Sequence, residues 1–185
     1  MVDLSNYTNP FTLKSRLGRI LFNVVWAVFV KPFPVRITRR WNIIVLRAFG
    51  AKVHSTCTIY SSAKIMMPWN LVMHDYSCIA NNVIIENASI VSLGSHSIVS
   101  QYSYLCTASH DIRSIGFKHV SHPITIQSMA WVCASCFVGS GVCIGTGAVV
   151  GASSSIFKNV EPWSIVGGNP AKQLGIRKVL EAHVS

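Results

Sequence analysis

Acidic residues are scarce in this chain: six Asp and Glu stand against sixteen Lys and Arg, for a formal charge of +10 over 185 residues. That balance favours an anionic partner, whether nucleic acid, anionic lipid or a phosphate-bearing small molecule. No RNP, zinc-finger or helix-turn-helix pattern accompanies the charge, so nucleic acid is not expected. Long apolar runs are also missing. The stretch Ile20 to Val30 is eleven residues, nearly all apolar; a spanning helix needs about 20, and no transmembrane segment is expected. The first dozen residues are polar, and no small-residue cleavage site follows the apolar stretch, so no signal peptide is expected. The six cysteines (Cys57, Cys78, Cys106, Cys133, Cys136 and Cys143) are accordingly expected to be reduced thiols in a cytoplasmic protein. Cys133-x-x-Cys136 has no second pair at zinc-finger spacing. With half its residues hydrophobic and only 12% charged, the chain is too apolar for disorder and has the length of one domain.

What is present divides into three parts. Residues 1–50 are expected to form a helical segment. Asn9-Pro10 suits an N-cap and first helical position, and Leu13, Leu17, Ile20, Leu21, Val24 and Val28 recur at helical spacing. Pro32 and Pro34 stop the run. A second stretch aligns Ile37, Trp41, Ile44 and Ala48 on one face among Arg36, Arg39, Arg40 and Arg47, with Gly50 placed to end it. Two readings stay open for residues 10–50: a helix pair packed on the protein or another subunit, or one lying on an anionic membrane surface at its inner face.

From Val53 the period changes to six. Val53, Ile59 and Ile65 are followed, after an eight-residue step, by Met73, Ile79 and Ile85, then by Leu93, Val99 and Leu105. After a longer gap come Ile126, Val132, Val138, Ile144, Val150 and Ile156. Small or modest side chains sit four residues after many of these, among them Cys57, Ala63, Ser97, Ala130, Cys136 and Ala148. A period of six is neither helix nor simple strand alternation. It is a hexapeptide solenoid in which three hexads make a triangular turn and turns stack at the strand spacing of about 4.8 Å. The solenoid is expected over 51–166, with a loop near 110–124 and a tail over 167–185. Cys136 then falls inside the coil and Cys133 beside an inward position, which makes the CxxC core rather than chelate.

The tandem hexapeptides ending in Ile144-Gly-Thr-Gly-Ala-Val-Val-Gly-Ala152, with Lys158 and Gly168-Asn169-Pro170-Ala171-Lys172, resemble the hexapeptide-repeat acetyltransferases. The segment Arg47–Lys52, the Pro68-Trp69-Asn70-Leu71 corner and Leu105-Cys-Thr-Ala-Ser-His-Asp111 narrow the likeness. They resemble the colanic-acid-type enzymes of exopolysaccharide biosynthesis, in the group that holds galactoside, maltose and nodulation-factor acetyltransferases. The likeness runs from about residue 10 to 178. It implies an all-β, left-handed parallel β-helix with an N-terminal helical segment. The handedness comes from the resemblance alone, because right-handed crossovers are the general rule. It also implies a homotrimer that moves acetyl from acetyl-CoA to a carbohydrate hydroxyl.

His110 stands where the register breaks, in a segment leaving a rigid coil, which suits a catalytic group. The resemblance makes it the general base, a role that suits an imidazole. Asp111 either orients the loop or starts a turn. Asn87 either binds the acceptor or oxyanion, or is a corner residue in a turn. For the coenzyme, the resemblance carries over Ala134, Ala152, Phe157, Lys158 and Lys172, the lysines toward phosphates, while Trp131 either walls the pantetheine arm or covers a coil face. One departure is Gly175, where galactoside-type enzymes usually have a basic residue; Arg177 is the candidate substitute. Some hexapeptide proteins bind zinc through a His pair about five apart, but His119 and His122 are three apart, and no metal is expected. The competing readings are an antibiotic or amino-sugar acceptor, and a non-catalytic solenoid scaffold.

Overall fold

The structure, a computed structural model, describes Ser5 and residues 10–179, apart from the side chains of 35–37. Two helices lead into a three-sided parallel β-helix. The first face stacks strands Lys52–Val53, Leu71–Met73, Val91–Leu93, Ile124–Ile126 and Cys143–Ile144. The second stacks Thr58–Ile59, Cys78–Ile79, Ile98–Val99, Trp131–Val132, Val149–Val150 and Ser164–Gly167. The third stacks Lys64–Ile65, Ile84–Glu86, Tyr104–Cys106, Phe137–Val138 and Ser155–Ile156.

Every inward position of the six-residue register pairs with its counterpart one coil away. Val53 faces Met73, Met73 faces Leu93, and Leu93 faces Ile126. The same ladder runs Ile59, Ile79, Val99, Val132, Val150 on the second face and Ile65, Ile85, Leu105, Val138, Ile156 on the third. None of these side chains is more than 4% exposed, so each coil's apolar interior covers the next. The eight-residue steps add two interior positions at the third corner, where the chain passes from the third face to the first. Met67, Asn87 and Thr107 stack just after the third-face strands, and Leu71, Val91 and Ile124 open the first-face strands; all six are buried.

The other corners turn tightly through left-handed residues. Tyr76, His96, Met129, Gly147 and Trp163 stack at the first corner, and Asn82, Tyr102, Ser135 and Ser153 at the second. Gly147 has no alternative. Its φ is +67°, and an added Cβ would meet the Trp163 ring at 2.5 Å.

Helix α1 spans Leu13–Phe29 and α2 spans Val35–Ala48. Thr12 caps α1 by accepting from the Ser15 amide at 3.2 Å; Asn9, the expected cap, lies outside the described residues. Together the helices close the first coil. Asn42 Nδ2 donates to the Ile59 carbonyl at 2.9 Å, Arg47 Nε to Val53 at 2.7 Å and Trp26 Nε1 to Ser61 at 3.0 Å. Ile43, Val45, Leu46, Phe22 and Trp26 cover the apolar end of the core. The stripes expected from helical spacing point the other way: the whole Leu13–Val28 set, and Trp41 and Ile44, are exposed. At the far end, Lys172–Ile176 folds back antiparallel on Ser164–Gly167, so the first part of the expected tail extends the second sheet.

Candidate active site

The register break at residue 107 is an ordered antiparallel hairpin. Strands Ala108–His110 and His119–Ser121 pair with His110 directly opposite His119. The hairpin leaves the third corner, and its base is fastened to the coils on either side. Thr107, wholly buried, donates through Oγ1 to the Glu86 carbonyl at 2.9 Å and accepts there from the Ser89 amide at 3.0 Å. Its own carbonyl accepts from Ser140 Oγ at 2.6 Å and from the His122 amide at 3.1 Å. A group carried two or three residues beyond such a fastening has little freedom to wander.

His110 Nδ1 lies 2.7 Å from the Phe117 carbonyl oxygen. A carbonyl oxygen only accepts, so the proton resides on Nδ1 and the lone pair of the neutral ring on Nε2. The ring is stacked on Phe117 at 4.9 Å and meets the edge of His119 at 5.7 Å. His119 in turn meets Phe11, just before α1, at 5.6 Å, and Arg19 lies over the Phe11 ring at 5.3 Å. Phe117, His119 and Phe11 were not anticipated. The only trace of them in the sequence is that a hairpin with its turn near 114 would set residues 110 and 119 opposite each other.

Asp111 Oδ1 accepts from the Arg113 amide at 3.0 Å and lies 3.5 Å from the Arg113 side chain, both in the tip turn. That is the turn-starting arrangement. Asn87 is wholly buried. Its Oδ1 accepts from the Met67 amide at 2.8 Å, and its Nδ2 donates to the Met67 carbonyl at 2.7 Å. Of the two readings for Asn87, the corner residue matches this geometry, since both polar atoms of the side chain are spent inside the coil.

Beside the hairpin base, on the outside of the third face, the Tyr104 hydroxyl donates to Glu86 Oε2, and the Cys106 thiol donates to the Ala108 carbonyl at 3.3 Å. Burial, then the Glu86 bond, pushes the Tyr104 hydroxyl well above its ordinary range. Burial likewise raises the thiols of Cys106, Cys133 and Cys136, so they stay protonated and poorly nucleophilic near neutrality. Among the described residues, no three His, Cys, Asp or Glu side chains converge on a metal position.

Of the coenzyme candidates, Phe157 and Lys158 follow the third-face strand Ser155–Ile156 at the third corner, and the others lie elsewhere. Ala134 and Ala152 sit on adjacent coils at the second corner, where the Ser153 amide donates to the Ala134 carbonyl at 2.9 Å. The Gly168–Ala171 turn, with its cis Asn169–Pro170 bond, lies over the same corner, where Ala171 donates to the Ser155 carbonyl at 3.0 Å. Lys172 and Lys158 are exposed, and Phe157, 61% exposed, leans on Phe137. Trp131 lies on the second face with Nε1 donating to Ser100 Oγ at 2.9 Å. Arg177, the candidate substitute for the base missing at Gly175, donates through Nη1 to the carbonyls of Met129 at 2.9 Å and Gly147 at 3.1 Å.

The chain is 38% identical over 173 residues to the colanic acid biosynthesis acetyltransferase WcaF of Escherichia coli K12, covering 92% of this chain and 94% of that one. It belongs to the colanic-acid-type acetyltransferases. The fold agrees with that membership. A hexapeptide-repeat acetyltransferase from Vibrio cholerae, VCA0836, solved with acetyl-CoA, superposes with a TM-score of 0.80 at 21% identity over 94% of each chain. A maltose O-acetyltransferase from Clostridium difficile 630 gives 0.81 at 17% identity over 91% of this chain and 90% of that one. No protein-family model matches the sequence. The β-helix of this colanic-acid-type enzyme thus has the left-handed coil of the hexapeptide-repeat acetyltransferases.

Proposed function

We propose that the chain transfers acetyl from acetyl-CoA to a hydroxyl of a carbohydrate in cell-surface or exopolysaccharide biosynthesis, with His110 as general base. The observation that carries this reading is the bond from His110 Nδ1 to the Phe117 carbonyl. It leaves Nε2 as the basic nitrogen, on a ring held by stacking, in a hairpin fastened to a rigid coil. Acetyl-CoA supplies the thioester. His110 Nε2 takes the proton of the acceptor hydroxyl as its oxygen bonds to the thioester carbonyl carbon. The carbon–sulfur bond then breaks, and the proton on Nε2 goes to the departing sulfur. No covalent acyl-enzyme is needed, and the raised Cys106, Cys133 and Cys136 thiols suit none.

Two corners of the triangle separate the parts of this site. The hairpin leaves the third corner, whereas Ala134, Ala152 and the turn before Lys172 stack at the second. A homotrimer in which one copy's hairpin meets another copy's second corner reconciles the two. In this proposal Ala134 and Ala152 give the pantetheine arm a smooth wall, Phe157 and Trp131 give it aromatic cover, and Lys158 and Lys172 meet the phosphates. Asp111 shapes the hairpin tip. In this proposal the enzyme works in the cytoplasm, at the inner face of the membrane.

The test is His110→Ala assayed with acetyl-CoA against a panel of nucleotide-linked, lipid-linked and free sugars. Losing a positioned base costs about 10²–10⁴-fold in rate, with the folded content unchanged by circular dichroism. Turnover near that of the parent would overturn the assignment.

A further inference from the structure

Helix α1 is apolar on two opposite sides, and the coil uses only one. Phe22 and Trp26 are buried against the solenoid. Leu13, Leu17, Ile20, Leu21, Val24 and Val28 lie on the opposite side within an arc of about 100°, each between 54% and 68% exposed. The stripe continues past the end of the helix. Phe29 and Phe33 are half exposed, and Trp41 reaches back from α2 to donate to the Phe29 carbonyl at 2.9 Å. A water-exposed apolar surface of this extent marks a docking site.

The charge around the stripe selects the occupant. Lys14, Arg16 and Lys31 are exposed beside it, and Arg39 and Arg40 are exposed on α2. From Leu4 to His74 the chain has no Asp or Glu. A second copy of this chain is a poor complement, because with six acids in 185 residues it carries the same positive excess. An anionic bilayer offers both things the surface lacks: hydrocarbon for the stripe and negative charge for its rim. No described helix is long and apolar enough to cross a membrane, and α1, with lysine and arginine along its flanks, has the character of a helix lying in the interface.

We propose that the exposed face of α1, with the aromatic cluster Phe29, Phe33 and Trp41, docks the enzyme on an anionic lipid surface. This deepens the placement above by naming the surface and its partner. Since Phe11 touches His119 and His119 touches His110, the docked helix also sits next to the catalytic hairpin, which brings an acceptor carried on lipid within the enzyme's reach.

The test is flotation of the full chain with vesicles of phosphatidylcholine alone or mixed with phosphatidylglycerol, without acetyl-CoA. The expected result is binding to the mixed vesicles that weakens with salt. The double variant Leu17→Glu, Val24→Glu should weaken it about tenfold or more while keeping its unfolding midpoint, its mass in solution and its turnover on a water-soluble acceptor. Equal binding by parent and variant, no binding by the parent, or a variant that falls to a smaller assembly would overturn the proposal; the last would assign the face to another copy. Because binding is read without the reaction, its failure leaves the transferase reading standing.

Discussion

Replacing Asn87 by Ala separates a structural role from a catalytic one. The parent side chain is wholly buried, and its amide closes two bonds, at 2.8 and 2.7 Å, on the amide and carbonyl of Met67. Alanine removes both partners and leaves two backbone groups unpaired in the coil interior. Each unsatisfied buried group costs about 1–3 kcal/mol, so the expected loss is about 2–6 kcal/mol. In a chain of this size that is a fall in melting temperature on the order of 10 °C. The measurement is thermal and urea unfolding of parent and variant at equal protein concentration, since any assembly makes the midpoint concentration-dependent. Turnover is measured well below both midpoints, where the variant is expected to retain most of it. An unchanged midpoint with turnover lost by orders of magnitude would refute the reasoning, because it would mean that Asn87 meets the substrate instead of holding the corner.

Two further substitutions test the hairpin and the corners. His119→Ala removes the edge contact on the His110 ring, worth about 0.5–1.5 kcal/mol in such aromatic pairs. The expected outcome is a fall in kcat of up to about tenfold with little change in KM for acetyl-CoA; His119→Phe, which restores an edge, should recover most of it. Gly147→Ala forces a left-handed residue with a Cβ 2.5 Å from the Trp163 ring. It is expected to lower stability by about 1–3 kcal/mol and to alter Trp163 fluorescence, while leaving transfer intact below the new midpoint.

The solenoid was legible because its signal is redundant. A wrong assignment at one hexad would have put a polar or exposed residue at a register position, and from Val53 to Ile156 every register position is apolar and buried. The eight-residue steps were legible as insertions but not as interior positions. Met67, Asn87 and Thr107 recur at intervals of twenty, yet their mixed chemistry hides them from a search for apolar periodicity. The helices show the opposite failure. The stripe Leu13–Val28 has the right spacing, and the helix is there, but spacing does not tell a face turned toward the protein from one turned away. In α1 the packed side is carried by a few large side chains, Phe22 and Trp26, opposite a longer run of aliphatic ones.

The site was half legible for a related reason. A register break of twenty-one residues between Leu105 and Ile126 locates the hairpin and directs attention to His110. The partners that fix its tautomer and ring plane, Phe117 and His119, come from hairpin geometry, and His119 is met in turn by a residue almost a hundred positions before His110, Phe11. No linear motif joins these. The proposed coenzyme positions carry even less local signal: Ala134 and Ala152 are ordinary small residues set apart only by their stacking at one corner, beneath the Asn169–Pro170 turn. That corner differs from the one bearing His110. In the function proposed above, one chain therefore holds the two halves of the chemistry on different edges, and an arrangement of copies brings one edge to the other. Mixing His110→Ala chains with Lys172→Ala chains puts this to the test. If the halves come from different copies, mixed assemblies rebuild some intact sites and regain part of the parent rate, whereas a site contained within one chain would regain none.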